Sequence, residues 1–120
     1  HDLRPVLSSG PQVEAWMNFA DRAGSMPSAA LHVDTGMTRL GLTPSDLVSI
    51  DTERLKPALV MSHLACAEDP HHPKNGAQLR AFELALTRFP GVTASLANSA
   101  GMLLGSAYRF DLVRPGVAIY

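Results

Sequence analysis

Apolar residues in this chain fall into short blocks separated by polar or turn-forming stretches. Leu3 to Leu7 is a brief apolar run interrupted by Pro5. Ser8-Ser9-Gly10-Pro11 punctuates it, and Pro11 suits the first turn of a helix. Val13, Trp16, Met17, Ala20 and Ala23 recur at helical spacing, with Gly24 placed to end that helix. After a loop over Ser25 to Ser28, Ala29 to Val33 reads as a buried strand running into Asp34-Thr35-Gly36. Thr43 can cap a helix that has Pro44 in its first turn and Asp46 returning the capping bond. Leu47, Ile50 and Leu55 give that helix an apolar side as far as Pro57. Ala58 to Met61 is a second buried strand, leading to Ser62-His63. Asp69 to Asn75 reads as a polar surface loop, followed by a long helix with Leu79, Phe82, Leu86 and Phe89 on one stripe. Pro90-Gly91 stops it, and Val92 to Leu96 forms a strand that runs into Asn98-Ser99. Ala100 to Leu104 starts another helix, and Leu112-Val113 is a last strand, ending at Arg114-Pro115-Gly116.

This rhythm is about five βα-type units and predicts an α/β fold with a parallel sheet and covering helices. Polar residues interrupt the apolar pattern just after each strand. Asp34, Thr35 and Arg39 follow one, His63 the next, Asn98 and Ser99 another, and Arg114 with Gly116 the last. In parallel α/β sheets and barrels the C-terminal edge of the strands is where ligands bind.

Composition narrows the function classes. The chain has 120 residues, 46% hydrophobic and 18% charged, enough to bury a core. A net charge of −1 offers no basic face for a duplex, so no nucleic-acid partner is expected. No apolar run approaches the roughly 18 residues of a membrane span, so no membrane role is expected. Cys66 is the single cysteine, which fits a reducing compartment, and a cytoplasmic location is expected. His1-Asp2-Leu3-Arg4-Pro5 is not a signal peptide. The chain has no starting Met and stops on the apolar, strand-like Val117-Ala118-Ile119-Tyr120, which reads as a piece of a longer protein.

The rim residues favour a phosphorylated aromatic ligand. Ser99, before Ala100-Gly101, stands at an expected helix N-terminus, an anion site. Gly116 lets a backbone amide approach closely. Arg39 and Arg114 donate hydrogen bonds without losing their protons, and the flat ring of His63 can stack or hydrogen-bond.

At these residues the sequence resembles alanine racemase. The resemblance rests on Leu31 to Gly41 (LHVDTGMTRLG), Met61 to Asp69 (MSHLACAED), Ser95 to Gly101 (SLANSAG) and Asp111 to Tyr120 (DLVRPGVAIY). It implies a fold-type III pyridoxal-phosphate enzyme with an N-terminal (β/α)8 TIM barrel, a C-terminal β-domain and a head-to-tail homodimer. It also implies interconversion of L- and D-alanine for peptidoglycan synthesis. Residues 1–120 would be a partial barrel domain, about strands four to eight, with the first strands and the β-domain absent. By the same resemblance Arg39 meets the cofactor's phenolic oxygen, and His63 stands beside the ring and holds the arginine that faces the pyridine nitrogen, Arg114. Ser99 with the amides of Gly116 and Val117 cradles the phosphate, and Asn98 supports it. An arginine stays protonated, so the pyridine nitrogen gains no proton; that weakens the electron sink and limits side reactions.

Three departures qualify the resemblance. The motif of the cofactor-bearing lysine is missing, since Lys56 precedes Pro57 and Lys74 lies in the expected loop. Tyr108 and Tyr120 do not match the family's tyrosine base, so no catalytic residue is assigned and the 120-residue piece is expected to be inactive. His32 stands where the family often has a carbamylated lysine seven positions before the arginine, and another anion, such as chloride, would have to take that place.

Plainer readings compete. His63 could be a satisfied core histidine, and Asn98-Ser99 only a helix cap. Asp34-Thr35-Gly36 resembles an aspartic-protease triplet, but it also suits an ordinary turn, and the second copy is missing. His63, Cys66, Asp69, His71 and His72 are close in sequence, yet His71-His72 lies between two prolines in the expected loop, so no metal is assigned. Besides the racemase, two other classes stand: a relative on the same barrel (a non-catalytic pyridoxal-phosphate-binding protein, a basic amino-acid decarboxylase or a related amino-acid racemase), and a half-barrel that self-associates through open strand edges.

Overall fold

A computed structural model describes residues 3–120. Four short strands form one parallel sheet in chain order: β1 (Val6–Leu7), β2 (Ala30–His32), β3 (Leu59–Met61) and β4 (Thr93–Ser95). The pairing is in register from Leu7 to Leu31, Val60 and Ala94, and from His32 to Met61 and Ser95. Parallel neighbours in sequential order require crossovers of one hand, which stack the connecting helices on one face. The row Leu7, Leu31, Val60 and Ala94 joins one core with Val13, Leu47, Leu55 and Phe82. Strand side chains alternate, so His32, Met61 and Ser95 stand on the opposite face.

Pro5 has no amide to donate, which confines β1 to two residues, although its carbonyl still accepts from the Ala30 amide at 2.9 Å. Helix α1 (Gly10–Ala23) carries a proline in its first turn and ends on Gly24 at φ +68°, as expected. The helix expected from Thr43 to Pro57 is two helices, α2 (Pro44–Ser49) and α3 (Thr52–Leu55). Thr43 and Asp46 form the capping box, but Ile50 turns extended and the Asp51 carboxylate caps the Arg54 amide at 3.1 Å, starting the chain afresh. Helix α4 (Pro73–Leu86) begins inside the segment expected to be loop, because His72 Nδ1 accepts from the Lys74 amide and Pro73 fits the first turn. Its stripe forms over Leu79, Phe82 and Leu86, while Phe89, expected on the same helical stripe, is buried from the turn after the helix.

Three expectations near the C-terminal end are corrected. Ala100 to Leu104 is no α-helix but a single 3-10 turn, Gly101–Leu103, followed by Gly105 at φ +120°. Leu112-Val113 is no strand: the Asp111 and Leu112 amides both donate to the Ala94 carbonyl, the Ala94 amide donates to the Asp111 carboxylate instead of a backbone carbonyl, and an isolated parallel bridge joins Asn98 to Arg114. The apolar Val117–Ile119 is a 3-10 turn with Val117 and Ile119 exposed.

Candidate cofactor cradle at the strand ends

The predicted residues leave the C-terminal ends of the strands. A cavity of about 580 Å3 is lined by His63 from β3, Asn98 and Ser99 from β4, and Arg114, Gly116 and Val117 from the following segment. Six of the seven predicted residues thus share one site. Arg39 is the exception: it is exposed on the loop after β2 and does not line the cavity. Glu68 and Leu103, which sequence reasoning did not single out, line it as well.

Arg114 is held by backbone. Its guanidinium donates to the Ser95 carbonyl at 3.0 Å, to Ser95 Oγ and to the Ser62 carbonyl. Ser95 Oγ in turn donates to the Leu112 carbonyl at 2.7 Å, tying the segment that carries Arg114 onto β4. Among the described residues, the hydrogen-bond partner of the His63 ring is Asn98, at 3.4 Å, and no bond links the ring to Arg114. Asn98 Oδ1 accepts from the Gly101 amide at 2.9 Å, so its Nδ2 is the atom that faces the ring.

Ser99 behaves differently from expectation. The turn after it is too short for a helix N-terminus to gather charge, and the side chain that accepts from its first amide, Gly101, is Asn98 rather than Ser99. Instead, the amides of Gly116 and Ala118 converge on Ser99 Oγ at 2.8 and 3.2 Å, while no bond from the Val117 amide reaches it. Both amide protons are spent on that hydroxyl, which keeps its own proton free, so a phosphate oxygen would accept from Ser99 and take the two amides only in place of Oγ.

One arginine, Arg114, and one carboxylate, Glu68, line the cavity beside the His63 ring. Burial, then the charges of Arg114 and Arg39, lower the pKa of His63, against the opposing pull of Glu68. Burial lowers that of His32, with Arg114 and His63 adding to it and Asp34 opposing. Burial also moves Arg114 below its ordinary value, yet a guanidinium remains charged. Burial works to raise the pKa of Asp34, but the amides of Gly36, Thr38 and Met37 outweigh it and hold the carboxylate ionised.

These shifts carry a pH expectation. A histidine whose folded pKa lies below 6.5 binds its proton more readily unfolded. The stability it contributes is complete above that value and is lost as pH falls through it. Melting temperature should therefore drop on acidification from about pH 7.5 to about pH 5.5, and drop less in a His32→Asn/His63→Asn double variant. Equal slopes in the two proteins would show that neither ring is perturbed.

The remaining candidates separate. Lys56, at the C-cap of α3, and Lys74, in the first turn of α4, do not line the cavity. His72 caps α4, and the Asp69 carboxylate accepts from the His71 amide. Among the described residues no three His, Cys, Asp or Glu side chains converge as metal ligands, and no helix is long and apolar enough to cross a membrane. Sequence reasoning also passed over Gln78, Ser62 and Ser95, all fully or almost fully buried. Gln78 was visible as a polar residue one turn before Phe82, on the core side of α4.

The sequence and the fold agree with known proteins. The alanine racemase N-terminal domain family model matches residues 1–120. The alanine racemase of Rhodospirillum rubrum is 50% identical over 98% of this chain, and that of Rhizobium meliloti 48% identical over 100% of it. The chain spans 33% of the length of each. The crystal structure of alanine racemase from Bartonella henselae with covalently bound pyridoxal phosphate superposes with TM-score 0.92 at 39% identity, over 99% of this chain and 36% of that one. The Streptomyces lavendulae enzyme gives TM-score 0.84 at 32% identity, over 99% of this chain and 35% of that one. With the sheet, the order of its elements and the full sequence all in agreement, the chain belongs to the alanine racemase N-terminal domain family.

Proposed function

We propose that this chain is the part of an alanine racemase barrel, about strands four to eight, that holds pyridoxal 5'-phosphate. The observation that carries the reading is the convergence of Ser99 Oγ and the Gly116 and Ala118 amides beside Arg114 in one cavity. In this reading Ser99, with the amides of Gly116 and Val117, receives the phosphate, and Asn98 supports them. Arg114 faces the pyridine nitrogen, His63 flanks the ring, and Arg39 serves the phenolic oxygen from its loop.

Bound there, pyridoxal phosphate supplies an electron sink for a carbanion at the α-carbon of alanine. The residues of this chain set how strong that sink is. Arg114 cannot accept a proton and would donate to the ring nitrogen, which would then stay unprotonated. The carbonyls of Ser62 and Ser95 keep the guanidinium aimed and take up the donors it does not spend on the ring. His63, kept neutral by burial and by two arginines, adds no positive charge at the ring. No lysine lines the cavity, so the amine that bonds the cofactor and the second proton-transfer group come from the rest of a longer protein. That protein is assigned to the cytoplasm as a homodimer making D-alanine for peptidoglycan.

Incubation with pyridoxal phosphate, borohydride reduction and intact mass test this. A protein of the relatives' length should gain one stoichiometric adduct and racemise alanine. The 120-residue chain, 12.8 kDa, should gain little and turn nothing over. A long form that neither takes the cofactor nor racemises alanine would overturn the assignment.

A further inference from the structure

One fully buried polar side chain lies outside the cavity yet touches the backbone that builds it. Gln78 of α4 is 0% exposed. Its Nε2 donates to the His63 carbonyl at 2.9 Å and to Thr35 Oγ1 at 3.1 Å, and its Oε1 accepts from the Ala65 amide at 2.9 Å. Thr35 Oγ1 and Ser62 Oγ are 2.7 Å apart, and Ser62 Oγ donates to the Val33 carbonyl at 2.8 Å.

The direction of every proton in this chain is determined. An amide nitrogen only donates, so Thr35 Oγ1 accepts from Gln78. The Ser62 proton is spent on Val33, so the Thr35 proton goes to Ser62 Oγ. The chain therefore runs one way, from Gln78 through Thr35 and Ser62 to Val33. It spans α4 and the C-terminal ends of β2 and β3. Ser62 is the hub, because its carbonyl also accepts from the Arg114 guanidinium. Asn75, one turn earlier on α4 and 2% exposed, holds the far end of the same loop by donating to the Asp69 carbonyl at 2.8 Å.

The geometry points to Gln78 as a positioning residue that, with Thr35, locks the Ser62–Ala65 backbone and so sets where the His63 ring and the Arg114 guanidinium stand. This rests on the cofactor-cradle reading above. An apolar side chain of similar size would fill the same space but orphan the His63 carbonyl and the Ala65 amide, and buried backbone groups without partners shift until they find some. Displacement by about an ångström is enough to weaken a preorganised site by about a hundredfold.

The test uses the relative-length protein with Thr35→Val, Gln78→Met and the control Thr35→Ser. Thr35→Val keeps the shape and deletes one link; Thr35→Ser keeps the link. Two quantities are read: the pyridoxal-phosphate dissociation constant by absorbance titration, and the titration midpoint of the His63 ring in the apoprotein by NMR with labelled histidines. Four charged or titratable groups act on that ring: Arg114, Arg39, His32 and Glu68. Loosening it from burial and from the arginines raises its midpoint toward the ordinary imidazole value. Thr35→Val and Gln78→Met should raise the dissociation constant about ten- to a hundredfold and move the His63 midpoint up, while Thr35→Ser changes neither. If Gln78→Met does not fold, Thr35→Val decides alone. A fall in melting temperature with both readouts unchanged would make the network structural only and overturn the proposal. Wild-type protein that binds no pyridoxal phosphate would defeat the cofactor reading, and the His63 titration would still decide the lock.

Discussion

Gly41→Ala is expected to destabilise the protein by about 3 kcal/mol or more, the sum of backbone strain and overpacking. Gly41 sits at φ +127°, which L residues rarely adopt. A Cβ there would stand 2.6 Å from the Asp34 amide nitrogen, 2.9 Å from the Val33 carbonyl carbon and 3.0 Å from Asp34 Cα. All three are backbone, so no side chain can swing away. The backbone itself cannot give, because the loop is closed there: the Asp34 amide donates to the Leu42 carbonyl at 2.9 Å, and the Leu42 amide to the His32 carbonyl at 2.8 Å. Leu42, 0% exposed, anchors the loop in the core. The same loop carries Arg39, so function should fall with stability. Urea unfolding at constant slope measures the loss. Gly24→Ala is the control: its φ is +68° with nothing within 4 Å of the added carbon, so it should cost only about 1–2 kcal/mol. Equal losses at the two glycines would mean that the tight closure at Gly41 does not exist in solution.

Arg114→Ala should weaken pyridoxal-phosphate binding by about ten- to a hundredfold, since a hydrogen bond to a charged group contributes about 1.5–3 kcal/mol. Removing the guanidinium also leaves the Ser62 carbonyl and Ser95 without the fork that bridges β3 and β4. Arg114→Lys separates the two effects. It restores a positive charge, but as a point on a flexible stem that cannot span both strands while facing a ring nitrogen. Lysine is therefore expected to recover part of the stability and little of the binding. Absorbance titration with the cofactor reads the binding, and thermal unfolding reads the rest. Full binding by the lysine variant would place the pyridine nitrogen away from Arg114.

The sequence was legible where local chemistry dominates. Gly24 after α1, the Thr43–Asp46 capping box and the Leu79, Phe82 and Leu86 stripe of α4 all formed as read, because each depends on contacts within a turn or two. Several errors come from local side-chain bonds: Asp51 caps a fresh helix where apolar spacing would carry one on, His72 caps α4 inside a stretch read as loop, and Asn98 Oδ1 takes the Gly101 amide at the start of a turn read as a helix. Leu112 and Val113 look like a strand, but the Asp111 and Leu112 amides share one acceptor, the Ala94 carbonyl, and the Asp111 carboxylate takes the Ala94 amide, so no ladder continues.

Periodicity and the residue types at the strand ends determined the parallel α/β architecture and the edge where a cavity opens, and pointed to six of the residues that line that cavity. Strand ends and polar residues are adjacent in sequence, so their placement survives any detail of packing. Tertiary structure decided how those residues are used. It gave Ser99 its donors from residues 116 and 118, bound Arg114 to the carbonyls of Ser62 and Ser95, and left Arg39 on an exposed loop. It also buried Gln78 against the backbone of His63, 15 residues away in sequence. Such bonds join segments distant along the chain. Their geometry follows from how the strands pack, which no local pattern encodes.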